Sequence, residues 1–351
     1  MPEKILESFE IRRLEILDPK GEVDESLMPS LSADEIKKMY ELMILSRTFD
    51  QRAIDLQREG RLGTYASILG QEATQVGSAF TIQKSDWIFP SFREMGVYMT
   101  LGYPIHQLYQ YWAGDERGLK APEDLNIFPI CVPIGTQMLH AAGAAMAAKY
   151  KRDPIVVITY FGDGATSEGD FHEAFNMAGV FKLPVVFICQ NNHWAISLPR
   201  ERQTAAKTLA QKAYAYGFEG IQLDGNDIFA VYKGTKDAIE KARRGEGPVF
   251  IECVTYRMSS HTTADDATRY RSKEEVEMWK LKDPILRLKL FMERKGLWTE
   301  PYQKEIEERS RQIIDEAVRV AESVEPPHPE DMFTYTYAKP TFRQLKQMED
   351  F

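Results

Sequence analysis

The stretch Ile155-Val156-Val157-Ile158-Thr159-Tyr160-Phe161-Gly162-Asp163-Gly164-Ala165-Thr166-Ser167-Glu168-Gly169-Asp170 sets an unbroken β-rich run against a glycine turn that carries one carboxylate. A strand buried on both faces needs apolar character without alternation, so 155–161 reads as an inner strand of a parallel sheet. A helical stretch from about Ser167 to Phe181 follows, then a second apolar run, Pro184 to Cys189, and later a third, Val249 to Tyr256. This alternation implies crossover connections and an α/β fold, with a mostly parallel sheet sandwiched between helices.

On the N-terminal side, Ser32-Ala33-Asp34-Glu35 offers a capping box in which hydroxyl and carboxylate each satisfy an orphan backbone donor. It predicts a helix from Ala33 to about Gln57, with Ile36, Met39, Met43 and Ile44 inward and a stop before Gly60. Further helices are expected between Ser67 and Tyr111, interrupted at 86–93, where a short extended run meets Pro90 and delivers a loop. Gly135 to Tyr150 is crowded with Ala and Gly, the pattern of a smooth-faced helix. Past Ser272 the pattern is helical to about Glu322, until Pro326-Pro327-His328-Pro329 breaks it. The expected organisation is an arm over 1–30, either docked or loose, an α/β domain over 31–325 and a tail over 326–351. Within the domain, 257–272 is a loop and 273–325 a helical extension.

With 43% hydrophobic and 28% charged residues among 351, the composition is that of a soluble globular protein. The apolar runs are too short to span a bilayer and the Met-Pro-Glu-Lys start lacks an apolar signal core, so a cytoplasmic protein without membrane contact is expected. A net charge of −9 opposes binding to nucleic acid, which requires clustered Lys and Arg. Cys131, Cys189 and Cys253, odd in number and set among apolar neighbours, read as buried free thiols.

Asn191-Asn192 follows the second central run as Gly162-Asp163-Gly164 follows the first, and Asn192 stands 29 positions after Asp163. One crossover unit fits that gap. If the strands are neighbours, both side chains emerge at the carboxyl edge of the sheet, where open α/β folds bind ligands at a switch in strand order. A carboxylate, an amide oxygen and a backbone carbonyl suit a hard divalent cation such as Mg2+ carrying a diphosphate. A Cβ at Gly162 or Gly164 would obstruct the tight turn or the approach of backbone N–H groups, and a helix beginning near Ala165 would add its partly positive end. A dinucleotide fold competes, but Ser167 stands where that fingerprint wants its third glycine and Asn191-Asn192 where it wants an acid.

Gly162-Asp163-Gly164 through Asn191-Asn192, with the flanks 160–170 and Asp224-Gly225-Asn226-Asp227, resembles the alpha subunits of thiamin-diphosphate-dependent pyruvate and branched-chain 2-oxo acid dehydrogenases, over about 31–298. The resemblance implies Mg2+ ligation by Asp163, Asn192 and the carbonyl of Trp194, with Gly164 and Ala165 at the diphosphate of thiamin diphosphate. Val132 and Ile134 fall where the family contacts the aminopyrimidine. Phe92-Arg93 matches a Tyr-Arg pair that grips the phosphates, but phenylalanine in place of tyrosine leaves Arg93 without the neighbouring hydroxyl.

The polar segment 257–272 has neither hydrophobic period and follows a strand, as a functional loop does. The resemblance singles out His261 as the residue that reaches the diphosphate and helps pass the acyl group to lipoamide. Charge bookkeeping supports a cationic or donor role, because a diphosphate plus Asp163 exceeds the charge of one Mg2+ and leaves work for Arg93 and His261. Thr262 replaces the serine that many relatives phosphorylate, and Ser272 sits at a second such position. The implied function is oxidative decarboxylation of a 2-oxo acid, pyruvate first and branched-chain acids second, with reductive acylation of a lipoyl-bearing acyltransferase. The family takes an activating glutamate from its beta subunit, which implies an α2β2 heterotetramer. The alternatives are an acetoin dehydrogenase alpha subunit or a non-catalytic assembly subunit.

Overall fold

The structure, a computed structural model, describes residues 3–349, so the ends of the expected arm and tail, residues 1–2 and 350–351, lie outside the described residues. Along the chain run β1 (Arg12–Leu14), α1 (Ala33–Arg58), α2 (Glu72–Ala79), β2 (Trp87–Phe89), α3 (Met95–Thr100), α4 (Ile105–Trp112), α5 (Thr136–Lys151) and β3 (Val157–Gly162). They are followed by α6 (Gly169–Phe181), β4 (Val185–Asn191), the short pair β5 (Trp194–Ala195) and β6 (Leu198–Pro199), α7 (Arg200–Gln203), β7 (Glu219–Asp224), α8 (Ile228–Arg243) and β8 (Val249–Val254). The C-terminal part holds α9 (Lys273–Lys280), α10 (Pro284–Arg294), α11 (Glu300–Ser323), α12 (Asp331–Thr334) and α13 (Phe342–Met348).

Six strands form one parallel sheet in the order β1-β7-β8-β4-β3-β2. The two central strands are apolar because each has a core on both sides. Val157, Phe161, Val185 and Phe187 face the helices α5 and α6, whereas Ile158, Tyr160, Val186 and Ile188 join the opposite core with α1, α3, α4 and α8. Strand order reverses at β7 and β8 and not between β3 and β4, so the expected switch does not fall at the Asp163–Asn192 edge. The capping box at Ser32 and Glu35 is formed, and Ile36, Met39, Met43 and Ile44 are buried as the periodicity requires.

Four strands, β1, β5, β6 and β7, have no counterpart in the sequence reading. Arg12-Arg13-Leu14 pairs with Ile221, Gln222 and Leu223 at the sheet edge, so part of the arm is an edge strand. The arm is held further by Asp227, whose Oδ2 accepts from the backbone N–H groups of Ile16 (2.6 Å) and Leu17 (2.7 Å) while Oδ1 caps α8 at Phe229 and Ala230. The buried Arg287 adds hydrogen bonds to the Leu17 carbonyl and the Asp224 carboxylate, both at 2.9 Å. No helix of the described residues is long and apolar enough to cross a membrane.

Asp227→Ala removes a helix cap and strands two buried backbone donors, so a loss of about 2–4 kcal/mol is expected. Urea unfolding of the variant checks it, and Asp227→Asn, which keeps an acceptor, is expected to lose less.

Candidate active site

Parallel pairing sets Gly162 beside Gln190, so the chain leaves β3 at Asp163 and β4 at Asn192 on the same edge of the sheet. The Asp163 carboxylate accepts, at 2.6 Å, from the Gln203 amide of α7. Burial pushes this carboxyl above its ordinary value against the pull of the Gln203 amide and the Arg257 charge. Asn192 points its Oδ1 at the Trp194 N–H (3.2 Å) and donates from Nδ2 to Gln71 (3.2 Å). Both residues line a cavity of about 470 Å³.

Trp194 and Ala195 are bracketed by His193 at φ +70° and Ile196 at φ +55°, a rare conformation for a β-branched residue. The guanidinium of Arg257 holds this bend, with hydrogen bonds to the carbonyls of Ile196 (2.6 Å) and Trp194 (3.2 Å). The turn after β3 lies close beneath it. A Cβ on Gly164 would stand 2.8 Å from the Ala195 Cβ, whereas one on Gly162 would meet nothing within 4 Å. Only Gly164 is therefore required by the protein's own packing. The turn itself, Asp163–Ser167, is a 3-10 turn, and α6 begins at Gly169 and not near Ala165.

Opposite the acidic edge lies uncompensated positive charge. Arg93 is 6% exposed and Arg257 fully buried, yet neither guanidinium forms an ion pair with a carboxylate among the described residues. Arg93 donates to the carbonyls of Ser67 (2.5 Å) and His261 (2.9 Å). The Nδ1 atom of His261 lies 3.2 Å from Arg93 Nη2 and 3.3 Å from Arg257 Nη1. A guanidinium can only donate, so Nδ1 carries the lone pair and the ring proton sits on Nε2. Burial and the two arginines push His261 down to about 4, while burial and Arg257 pull Arg93 down to about 10. At neutral pH the arginines are charged and His261, without a ligand, is a neutral donor.

Two buried cations without anions cost several kcal/mol unless an anion joins them. An oxygen-rich diphosphate supplies that charge, and the Gln71 Nε2 in the cavity wall is a further buried donor without a partner. Among the described residues no cluster of three His, Cys, Asp or Glu side chains is assembled for a metal. An ion here would rest on the Asp163 carboxylate with the amide and carbonyl oxygens of Asn192 and Trp194, a hard donor set that fits Mg2+.

Phe92, Arg93, Val132, Ile134, Asp163, Gly164, Ala165, Asn192, Trp194 and His261, the residues singled out in the sequence, all line this one cavity. The Phe92 ring meets His261 edge-on at 6.0 Å and lies 5.3 Å from the Arg93 guanidinium. Missing from the sequence reading were Arg257, Gln71, Gln203 and Glu94. Arg257 lies four positions before His261 in the same loop, which was a signal. Glu94 lines the cavity, takes hydrogen bonds from Gln190 Nε2 (2.7 Å) and the Arg93 N–H (3.0 Å), and is pushed up to about 7 by burial.

The Dehydrogenase E1 component family matches residues 40–330. The alpha subunit of 3-methyl-2-oxobutanoate dehydrogenase from Mycobacterium tuberculosis is 42% identical over 97% of this chain and 93% of its own length. The pyruvate dehydrogenase E1 component alpha subunits of Bacillus cereus and Staphylococcus aureus are 43% and 44% identical, over 96% and 89% of this chain and 91% and 85% of theirs. The chain therefore belongs to the dehydrogenase E1 component family, thiamin-diphosphate-dependent oxidoreductases, and is similar along nearly its whole length to their alpha subunits. These names support the 2-oxo acid dehydrogenase reading and not its acetoin or assembly-subunit alternatives.

A depressed histidine makes the unfolded chain the better proton acceptor between about 4 and 6.5, so this contribution to stability is present above 6.5 and lost as pH falls toward 4. The expected His261 titration midpoint by NMR in the cofactor-free protein is near 4, and Arg257→Leu is expected to raise it. A wild-type midpoint at the ordinary histidine value would contradict the arrangement.

Proposed function

We propose that this chain is the alpha subunit of a cytoplasmic 2-oxo acid dehydrogenase that binds thiamin diphosphate through Mg2+, acts on pyruvate first and on branched-chain 2-oxo acids second, and passes the acyl group to a lipoyl-bearing acyltransferase. The observation that carries the reading is the meeting, in one cavity, of the Asp163–Asn192 oxygen pair with the unpaired charges of Arg93 and Arg257 around His261.

Asp163, Asn192 and the Trp194 carbonyl would hold the ion, replacing the Gln203 and Trp194 N–H contacts of the two side chains, with the carbonyl's second lone pair left to the Arg257 guanidinium. Gly164 and Ala165 offer backbone at the close turn where the diphosphate would lie, and Arg93 supplies the guanidinium donors beside it. Val132 and Ile134 would pack against the aminopyrimidine, with Phe92 stiffening Arg93. Thiamin diphosphate, when bound, supplies the electron sink for decarboxylation and carries the acyl group. His261, neutral with its proton on Nε2 and its Nδ1 lone pair held between two guanidiniums, would donate a hydrogen bond to a phosphate oxygen and, by that contact, help position the acyl group for transfer to the lipoyl group.

No residue of this chain is assigned to the acid that activates the aminopyrimidine, so a beta subunit would provide it in an α2β2 assembly. Val132 and Ile134 at the cavity wall are 55% and 46% exposed, apolar surface that a second subunit would cover. We further read 31–325 as the cofactor-binding unit, between an arm and a tail.

In the co-purified α–β assembly, Asp163→Ala is expected to weaken Mg2+-dependent binding of thiamin diphosphate by about 100-fold or more in titration calorimetry. Turnover of pyruvate should exceed that of 3-methyl-2-oxobutanoate, and the alpha chain alone should turn over neither. Tight binding by the variant, or full activity of the lone chain, would overturn the proposal.

A further inference from the structure

Between α1 and α2 the chain from Thr64 to Gly70 has no regular structure, so its backbone must be satisfied by tertiary contacts. One side of this strap is gripped by a single buried carboxylate, Asp50 of α1. Its Oδ1 accepts from the Tyr65 hydroxyl and the Ile68 N–H, both at 2.7 Å, and its Oδ2 accepts from the Ser67 hydroxyl at 2.6 Å. Asp50 is 2% exposed and has no ion pair among the described residues, so these three donors are its direct partners, with the Arg93 charge acting at longer range.

The other side of the strap carries the cleft. The Ser67 carbonyl accepts the Arg93 guanidinium at 2.5 Å. Tyr65 pairs with Thr263 through its carbonyl (2.9 Å) and N–H (3.0 Å), the Leu69 carbonyl accepts from the Met258 N–H (3.2 Å), and the Gly70 carbonyl accepts from the Thr255 hydroxyl (2.8 Å). His261 thus sits in a loop pinned at 258 and 263 to the same strap that seats Arg93, and Thr64 and Ala66 line the cavity. Within the strap Ser67 couples the two sides, because its hydroxyl donates to Asp50 while its carbonyl receives Arg93.

We propose that Asp50 is a positioning residue: by holding Tyr65, Ser67 and Ile68 it fixes the strap on which both Arg93 and the His261 loop are registered, without itself touching the ligand. An amide at 50 keeps the shape and its Oδ1 can still receive Tyr65 and Ile68, but its Nδ2 meets the Ser67 hydroxyl, which must turn from donor to acceptor, so the charge-assisted bonds that hold the strap to α1 are weakened. A displacement of the strap moves the Arg93 fork and the His261 ring together, and fork geometry is what bidentate phosphate recognition depends on.

The inference rests on the proposed cofactor site only for the identity of the anion, and its test separates the two. Asp50→Asn, Ser67→Ala and wild type are compared in the α–β assembly by amide hydrogen exchange without ligand, then by titration with thiamin diphosphate and Mg2+. Expected are faster exchange at 258–263 with unchanged protection of the β3–β4 ladder, and a dissociation constant raised about 10-fold, the size of one charged hydrogen bond. Ser67→Ala, which removes a single hydroxyl, carries the test if Asp50→Asn does not fold. A lowered melting temperature with exchange at 258–263 and affinity both unchanged would make Asp50 merely structural and overturn the inference. Failure of the wild type to bind thiamin diphosphate would sink the cofactor reading, while the exchange comparison would still decide the role of Asp50.

Discussion

Everything in the site depends on the parallel pairing of β3 with β4. The register that sets Gly162 beside Gln190 ends both strands together, so one carboxylate and one amide leave the sheet at the same edge. Slipping that ladder by one residue would turn the apolar side chains of either strand from one core to the other, so the packing of Val157, Phe161, Val185 and Phe187 on one side and Ile158, Tyr160, Val186 and Ile188 on the other enforces the position of Asp163 and Asn192. The fold's stability and the geometry of its oxygen pair are the same constraint seen twice.

Charge supplies the second half. The cleft places a buried carboxylate edge beside two guanidiniums that form no direct ion pair among the described residues. Such an arrangement is unfavourable by itself and favourable with a cation on one side and a polyanion on the other, which couples the filling of the site to the order of its loops. The strained residues His193 and Ile196 lie where that order matters, around the carbonyl of Trp194. Their bend is maintained by Arg257, a residue of the same loop that carries His261, so the metal side and the phosphate side of the cleft share one support.

The inner strands, the capped α1 and the small-residue α5 could be read from the sequence because each has a strong local cause: unbroken apolar runs, a reciprocal cap, a spacing of Ala and Gly. β1 and β7 could not. Arg12-Arg13-Leu14 is mostly charged, and Glu219-Gly220-Ile221-Gln222-Leu223-Asp224 holds residues that disfavour strands, so both owe their form to the ladder they join. In the site, the glycine turn and the paired asparagines carried a recognisable spacing, and the residues drawn from them meet in one cavity. Gln71 has no such local signature, and although Arg257 stands four positions before His261, its burial without an ion pair arises only when distant segments close around it. The charge state of His261 was hidden for the same reason, since it is set by two arginines far apart in sequence.

Anomalous diffraction from crystals of the α–β assembly grown with thiamin diphosphate and Mn2+ would locate the ion directly. The expected result is one Mn2+ about 2.0–2.3 Å from an Asp163 carboxylate oxygen and the Asn192 amide oxygen, with the diphosphate between that ion and Arg93. An ion bound elsewhere, with Asp163 and Asn192 facing only solvent or each other's backbone, would contradict it.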